Sequence, residues 1–189
     1  ARMHLPEGIR VEADMIEGPT HDVLIEAARS TRVLALGSHG GGRMTGLVLA
    51  STATDMLRHA ACSVLVARPP FDEDEFPRAI AVAVDGSEPS LHALEVARQI
   101  EVQCGGRPRL RVVTAGRVPH DAMAPGPLGD VPVEALRGRA ADAIARAGEG
   151  VDLIVMGARG LKGTKALGSV SERVAHKAAS SVLVVRPHA

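Results

Sequence analysis

Gly157 and Gly160 follow the apolar run Leu153 to Met156, and Gly168-Ser169 opens the next helical pattern. Residues of these types in this order suit an anion. Glycine lets backbone approach a phosphate closely, and the exposed N–H groups at a helix N-terminus, with the helix dipole behind them, favour negative charge. Ser169 and Ser171 add hydroxyl donors. Arg159, Lys162 and Lys165 put cations on the same loop, where a charge-assisted contact outweighs a neutral one. The same glycines also serve a plain strand-to-helix turn, and the same cations a solvated surface. Asp85 closes the apolar run Ala79 to Val84 directly before Gly86-Ser87. It is placed either to contact a ligand or to brace that turn, a common use of Asp before Gly.

Other chemistries find less support. His39, His59, His92, His120 and His176 show no HxxxH or HxH pairing with carboxylates at ligand spacing, so no metal site is expected. Ser38 and Ser87 lack a Gly-x-Ser-x-Gly setting, which leaves a hydrolase nucleophile without support and no catalytic residue to nominate. Cys62 and Cys104 are isolated, too few to staple a secreted fold, and point to a reducing cytoplasm. Cys62 precedes an apolar strand pattern and reads as packing.

These candidates belong to a repeat. LALGSHG (Gly37, Gly40) aligns with IVMGARG (Gly157, Gly160) at an offset of 120 residues, which also matches Gly18 with Gly138 and Asp22 with Asp142. Farther on, Ser51 matches Ser169 and SVLVARP (63–69) matches SVLVVRP (181–187) at an offset of 118. The chain therefore holds two copies of one unit. Between them PPFDEDEFPR is rich in Pro and acid and has no hydrophobic period, as an exposed linker would be. The expected division is a partial copy at 1–70, a linker at 71–78 and a complete copy at 79–188.

In the complete copy AIAVAVD reads as a buried parallel strand entering a helix, with Ser87 as N-cap. Leu91, Leu94, Val96, Ala97 and Ile100 keep helical spacing until Cys104-Gly105-Gly106. Strands follow at 110–115, around Val131, Val133 and Leu136, at 153–157 and at 182–185, with helices at 140–147 and 170–179. Alternating strands and helices imply an open, mainly parallel five-stranded sheet with helices on both faces. Between Thr114 and Val131 the prolines and glycines exclude the usual crossover helix, so a loop must make that connection. The first copy begins near a strand at Ile9 to Ile16 and has no counterpart of AIAVAVDGS. The two SVLV strands end their copies, and exposed edges of that kind pair readily; antiparallel pairing is expected within the chain or across a symmetric homodimer.

Composition narrows the partners. Lys plus Arg and Asp plus Glu balance at 22 each, leaving no net field to draw nucleic acid or an anionic membrane. Phe71 and Phe76 are the only large aromatics, so stacking platforms for single strands are absent. No apolar run reaches the roughly 20 residues of a membrane span.

Through VAVDGSEPSLHALEVA, VDLIVMGARG and LGSVSERVAHKAASSVLVVRP the sequence resembles the universal stress protein family over nearly its whole length. That family carries an aspartate ending its first strand and a loop Gly-x2-Gly-x9-Gly-Ser/Thr. The resemblance implies a Rossmann-like sheet of the adenine nucleotide alpha hydrolase type, frequent dimers and, in one branch, ATP, with or without magnesium, bound without dedicated catalysis. Carried over by position, Val84 and Asp85 would meet the adenosine end. Gly157, Arg159, Gly160 and Gly168 would hold phosphates with Ser169, Val170 and Ser171. The loop departs from the pattern in both copies: seven residues separate Gly160 from Gly168, and Ala50 replaces the last glycine in the first copy. Without an equivalent of Asp85, that first copy is expected to be empty. A nucleotide-independent dimerising stress protein is the alternative the shortened loop favours.

Overall fold

The computed structural model describes residues 10–38, 49–69, 76–116, 133–159 and 167–187. In chain order these hold α1 (Thr20–Ala27), β1 (Val33–Gly37), α2 (Ser51–His59), β2 (Ser63–Ala67) and β3 (Ala79–Ala83). Then come α3 (Glu88–Gln103), β4 (Arg109–Ala115), β5 (Val133–Leu136), α4 (Ala140–Ala147), β6 (Leu153–Gly157), α5 (Ser169–Lys177) and β7 (Ser181–Val185). The repeat sets the bounds. Adding 120 to α1 and β1 gives α4 and β6, and adding 118 to α2 and β2 gives α5 and β7, residue for residue.

All seven strands form one sheet in the order β1-β2-β7-β6-β3-β4-β5. The five strands of the complete copy run parallel, and the central three, β3, β6 and β7, are the near-continuous apolar runs of strands covered on both faces. The expected pairing of the two SVLV strands occurs within the chain: β2 meets β7 antiparallel, with Leu65 opposite Leu183. Alternate residues then sort into two cores. Ile80, Val82, Leu153, Val155 and Leu183 pack with Leu94 and Ala97 of α3. On the other face Ala81, Ile154, Val64 and Val182 meet residues of α2, α4 and α5, such as Met56, Ile144 and Val174.

Two expectations change. Residues 10–16 are not a strand. At the 120-residue offset Ala13–Ile16 corresponds to β5, which exists because it pairs with β4 (Val112 with Val133 through Ala115 with Leu136). No described residues of the first copy form a counterpart of β4, so the segment has no ladder in which to satisfy its backbone. Ser87 does stand at the N-cap position of α3, but its hydroxyl makes no capping bond to the helix; it donates to Asp85 instead. The loop connection expected between Thr114 and Val131 lies mostly outside the described residues, as does Val131 itself.

Candidate functional site

The register of the sheet brings the ends of β3 and β6 together. Ala83 pairs with Met156, so Val84 and Asp85 leave the sheet beside Gly157 at its carboxyl edge. Open α/β sheets place ligands at such an edge. Val84 is buried, and its N–H donates to the Val113 carbonyl at 2.9 Å. Asp85 Oδ1 accepts from the Ser87 N–H at 3.1 Å and from the Ser87 hydroxyl at 2.6 Å. Ser90 Oγ donates to the Ser87 carbonyl at 2.8 Å. Asp85 thus braces the turn into α3.

Gly157 has a packing reason of its own. A Cβ there would stand 2.7 Å from the Pro89 carbonyl oxygen, so only glycine lets the start of α3 lie across the end of β6. Gly168 closes the stem of the loop: its N–H donates to the Ala158 carbonyl at 2.7 Å. A Cβ on Gly168 would meet that same oxygen at 3.3 Å. Ser171 is buried and donates its hydroxyl to the Gly157 carbonyl at 2.9 Å, with the Ala158 carbonyl at 3.2 Å. Its one proton therefore ties α5 to the strand end. The first intrahelical bond of α5 runs from the Glu172 N–H to Gly168, so the N–H groups of Ser169, Val170 and Ser171 precede the helical ladder.

Arg159 is exposed at the start of the loop. Burial draws the pKa of the Arg186 guanidinium down, and the Arg159 charge adds to that pull. Gly160, Lys162 and Lys165 lie outside the described residues, as do Gly40, His39 and His120. The first copy closes its loop in the same way: the Ala50 N–H donates to the Ser38 carbonyl at 3.0 Å, and Ala50 and Ser38 are the repeat counterparts of Gly168 and Ala158. Arg186 was not singled out from sequence, although the matching Arg68 after the first SVLV run was its available signal. Among the described residues no group of three or more His, Cys, Asp or Glu side chains is placed to hold a metal ion.

The sequence profile of the universal stress protein family matches residues 2–68 and 119–186, well over half of the sequence. The chain belongs to the universal stress protein family. A curated universal stress protein of Mycobacterium tuberculosis is 38% identical over 34% of this chain, and the match spans 24% of that relative's length. A universal stress protein of Mycolicibacterium smegmatis is 27% identical over 95% of this chain and 70% of its own. Among solved structures, a functionally unknown protein from Pseudomonas aeruginosa PAO1 superposes with a TM-score of 0.71 at 21% identity, covering 92% of this chain and 69% of that one. A universal stress protein from Archaeoglobus fulgidus gives a TM-score of 0.65 at 23% identity, over 88% of this chain and 64% of that one. At these identities the structures share the fold.

Proposed function

We propose that this universal stress protein is an adenine-nucleotide-binding regulator in which the complete copy, 79–188, takes ATP and the partial copy, 1–70, takes none. The observation that carries the reading is the adjacency of Asp85 and Gly157 at one sheet edge, with the N-terminus of α5 facing the same loop. The adenosine lies by Val84 and Asp85. The phosphates lie along the loop, against the leading N–H groups of α5 and Gly168, with Arg159 supplying charge. Gly168 fits this role because its hydrogen leaves room beside the Ala158 carbonyl where a side chain would crowd. Magnesium would arrive on the phosphates, since no described carboxylate cluster is built to hold it.

Occupancy would change the affinity for a partner, with no dedicated catalytic step. No described helix is long and apolar enough to cross a membrane, and Cys62 and Cys104 are free thiols, which supports a cytoplasmic setting. The test is equilibrium binding of labelled ATP, with magnesium, to protein unfolded and refolded to strip carried-over ligand. Saturable binding below millimolar supports the reading, and its absence sinks it.

A second reading has its own support. The Pro89 contact accounts for Gly157 and the Ser87 contacts account for Asp85 without any ligand. A nucleotide-independent interaction protein would then keep both residues for folding alone.

A further inference from the structure

A cleft of about 350 Å3 lies beside α4, with Arg111, Glu134, Arg137 and Arg146 as its charged lining and Leu136 and Ala147 on its apolar wall. Arg111 pairs with Ala81 in the sheet, four residues short of Asp85. At a strand's rise this is roughly 13 Å from the edge proposed for the nucleotide. The two places are separate.

Three elements deliver the cations. Arg111 stands on β4, Arg137 directly follows β5, and Arg146 lies in the last turn of α4. Arg111 donates to Glu134 at 2.5 Å. Arg146 Nη2 donates to the Arg137 carbonyl at 3.3 Å, across the positive-φ turn at Gly138, where a Cβ would stand 3.4 Å from it. Arg137 is exposed, and its guanidinium meets no partner among the described residues. Asp142, one turn before Arg146, is held by Lys177. One carboxylate against three guanidiniums leaves the cleft with two positive charges in excess. Lys plus Arg and Asp plus Glu balance over the whole chain, so this excess is local.

The repeat shows that the fold does not ask for these charges. Glu17 stands at the place of Arg137 and Glu26 at that of Arg146, although α1 and α4 coincide residue for residue, while Asp14 keeps the acid of Glu134. Glu26 has a local use, an ion pair with Arg29 at 2.7 Å. Among the described residues the reversed pair, Arg146 with Glu149, is not made, and the guanidinium turns to the Arg137 carbonyl instead.

We propose that this cleft binds a phosphate dianion, free or as the monoester of a small molecule. Guanidinium groups pair well with phosphate oxygens. A tetrahedral anion offers oxygens to cations that arrive from three elements, as Arg111, Arg137 and Arg146 do, whereas a carboxylate offers two in one plane. Its two charges balance the excess. The volume stands at the small end of ligand clefts, and the remainder of an ester can lie along Leu136 and Ala147.

The test titrates inorganic phosphate, and separately phenyl phosphate, into nitrogen-labelled protein at constant ionic strength, with chloride as the balancing ion, and follows the arginine side-chain signals by NMR. Expected are saturable shifts at Arg111, Arg137 and Arg146 with a Kd of about 1 mM or below. Arg137→Glu and Arg146→Glu each install the acid that the first copy carries, so both should fold with a Tm within about 4 °C of the parent. Each should bind phosphate at least about tenfold more weakly. Arg137→Gln removes the charge without adding one and should weaken binding as well, which keeps the test sound where a new carboxylate disturbs the fold.

Phenyl phosphate should bind less tightly as pH falls through about 6, where a monoester loses its second charge. Tighter binding of phenyl phosphate than of inorganic phosphate assigns an ester as the ligand; equal or weaker binding assigns free phosphate. Shifts shared by all arginines alike, or an affinity unchanged in Arg137→Glu and Arg137→Gln, overturn the proposal. So do shifts confined to the amides of Ser169, Val170 and Ser171, which would report phosphate at the nucleotide edge, so the two readings fail separately.

Discussion

Arg68 and Arg186 occupy equivalent places on either side of a local two-fold axis that passes between Leu65 and Leu183. Arg186 leaves the end of β7 and donates to the carbonyls of Leu57 and Cys62, at the far end of α2. Arg68 leaves β2 and donates to the carbonyls of Ala175, at 2.7 Å, and Ser180, at 3.2 Å, at the far end of α5. Each copy thus places a cation at the C-terminus of the other copy's last helix, where the helix dipole favours it. The side-chain contacts between the helices obey the same symmetry. Arg58 pairs with Glu172, and Thr54, whose proton goes to Ala50, lies 3.4 Å from His176 Nε2; Thr54 and Glu172 correspond, as do Arg58 and His176.

Arg68→Met should therefore destabilise the whole protein rather than loosen a surface. Burial already draws the pKa of this guanidinium down, and the side chain donates to two carbonyls. Removing the donor leaves both carbonyls without it. The expected cost is about 1–3 kcal/mol, measured as a lower urea midpoint with an unchanged slope.

Gly157→Ala and Gly168→Ala should separate two kinds of glycine. At Gly157 the new methyl meets backbone at 2.7 Å, which rigid packing cannot accommodate, and a loss of about 1–3 kcal/mol is expected. At Gly168 the nearest atom is 3.3 Å away, so the fold should lose less while nucleotide affinity falls. Thermal melts with and without ATP distinguish them, and equal losses of stability would show that Gly168 too is held by packing alone.

Acid should act partly through Asp142. The hydrogen bond from Lys177, at 2.5 Å, and the charge behind it hold this carboxyl below the ordinary Asp value, with Arg139 and Arg146 adding to the effect. A lowered folded pKa means that the contribution is present above the unfolded value, about 3.9, and is lost as pH falls through the folded one. Lys177→Ala should raise the Asp142 pKa seen by carboxyl NMR and flatten that part of the acid limb. The site is exposed, so the change in neutral-pH stability should be slight.

The repeat made most of this fold legible, because hydrophobic period and glycine position recur with fixed offsets and the elements obey them to the residue. The strand expected at Ile9 to Ile16 failed for a reason the pattern does not contain: a strand needs a neighbour, and the neighbour of its counterpart is β4. The interlock of Arg68 with the end of α5 was also invisible, since its acceptors are backbone carbonyls and leave no residue type to read. In the site, spacing placed Gly157, Gly168 and Asp85 at one edge, but it did not show that Pro89 lies against Gly157 or that the Ser171 proton is given to the strand end.

Asp85 carries two roles that one substitution confounds. Asp85→Ala removes the acceptor that holds the Ser87 N–H and hydroxyl, so it should loosen the start of α3, which lies against Gly157, as well as remove a ligand contact. Asp85→Asn keeps an oxygen for the Ser87 N–H while removing the charge. If Asp85 accepts from the adenosine, Asp85→Asn should melt within a few degrees of the parent, because a neutral acceptor still braces the turn, yet bind ATP and adenosine more weakly by a similar factor, since both share that contact. About tenfold is expected, about 1.4 kcal/mol, close to the lower end of the roughly 1.5–3 kcal/mol of a hydrogen bond to a charged group. Calorimetric titration of both ligands against both variants decides it. An Asp85→Asn protein that binds ATP as the parent does, beside an Asp85→Ala protein that melts early, would assign Asp85 to the turn alone.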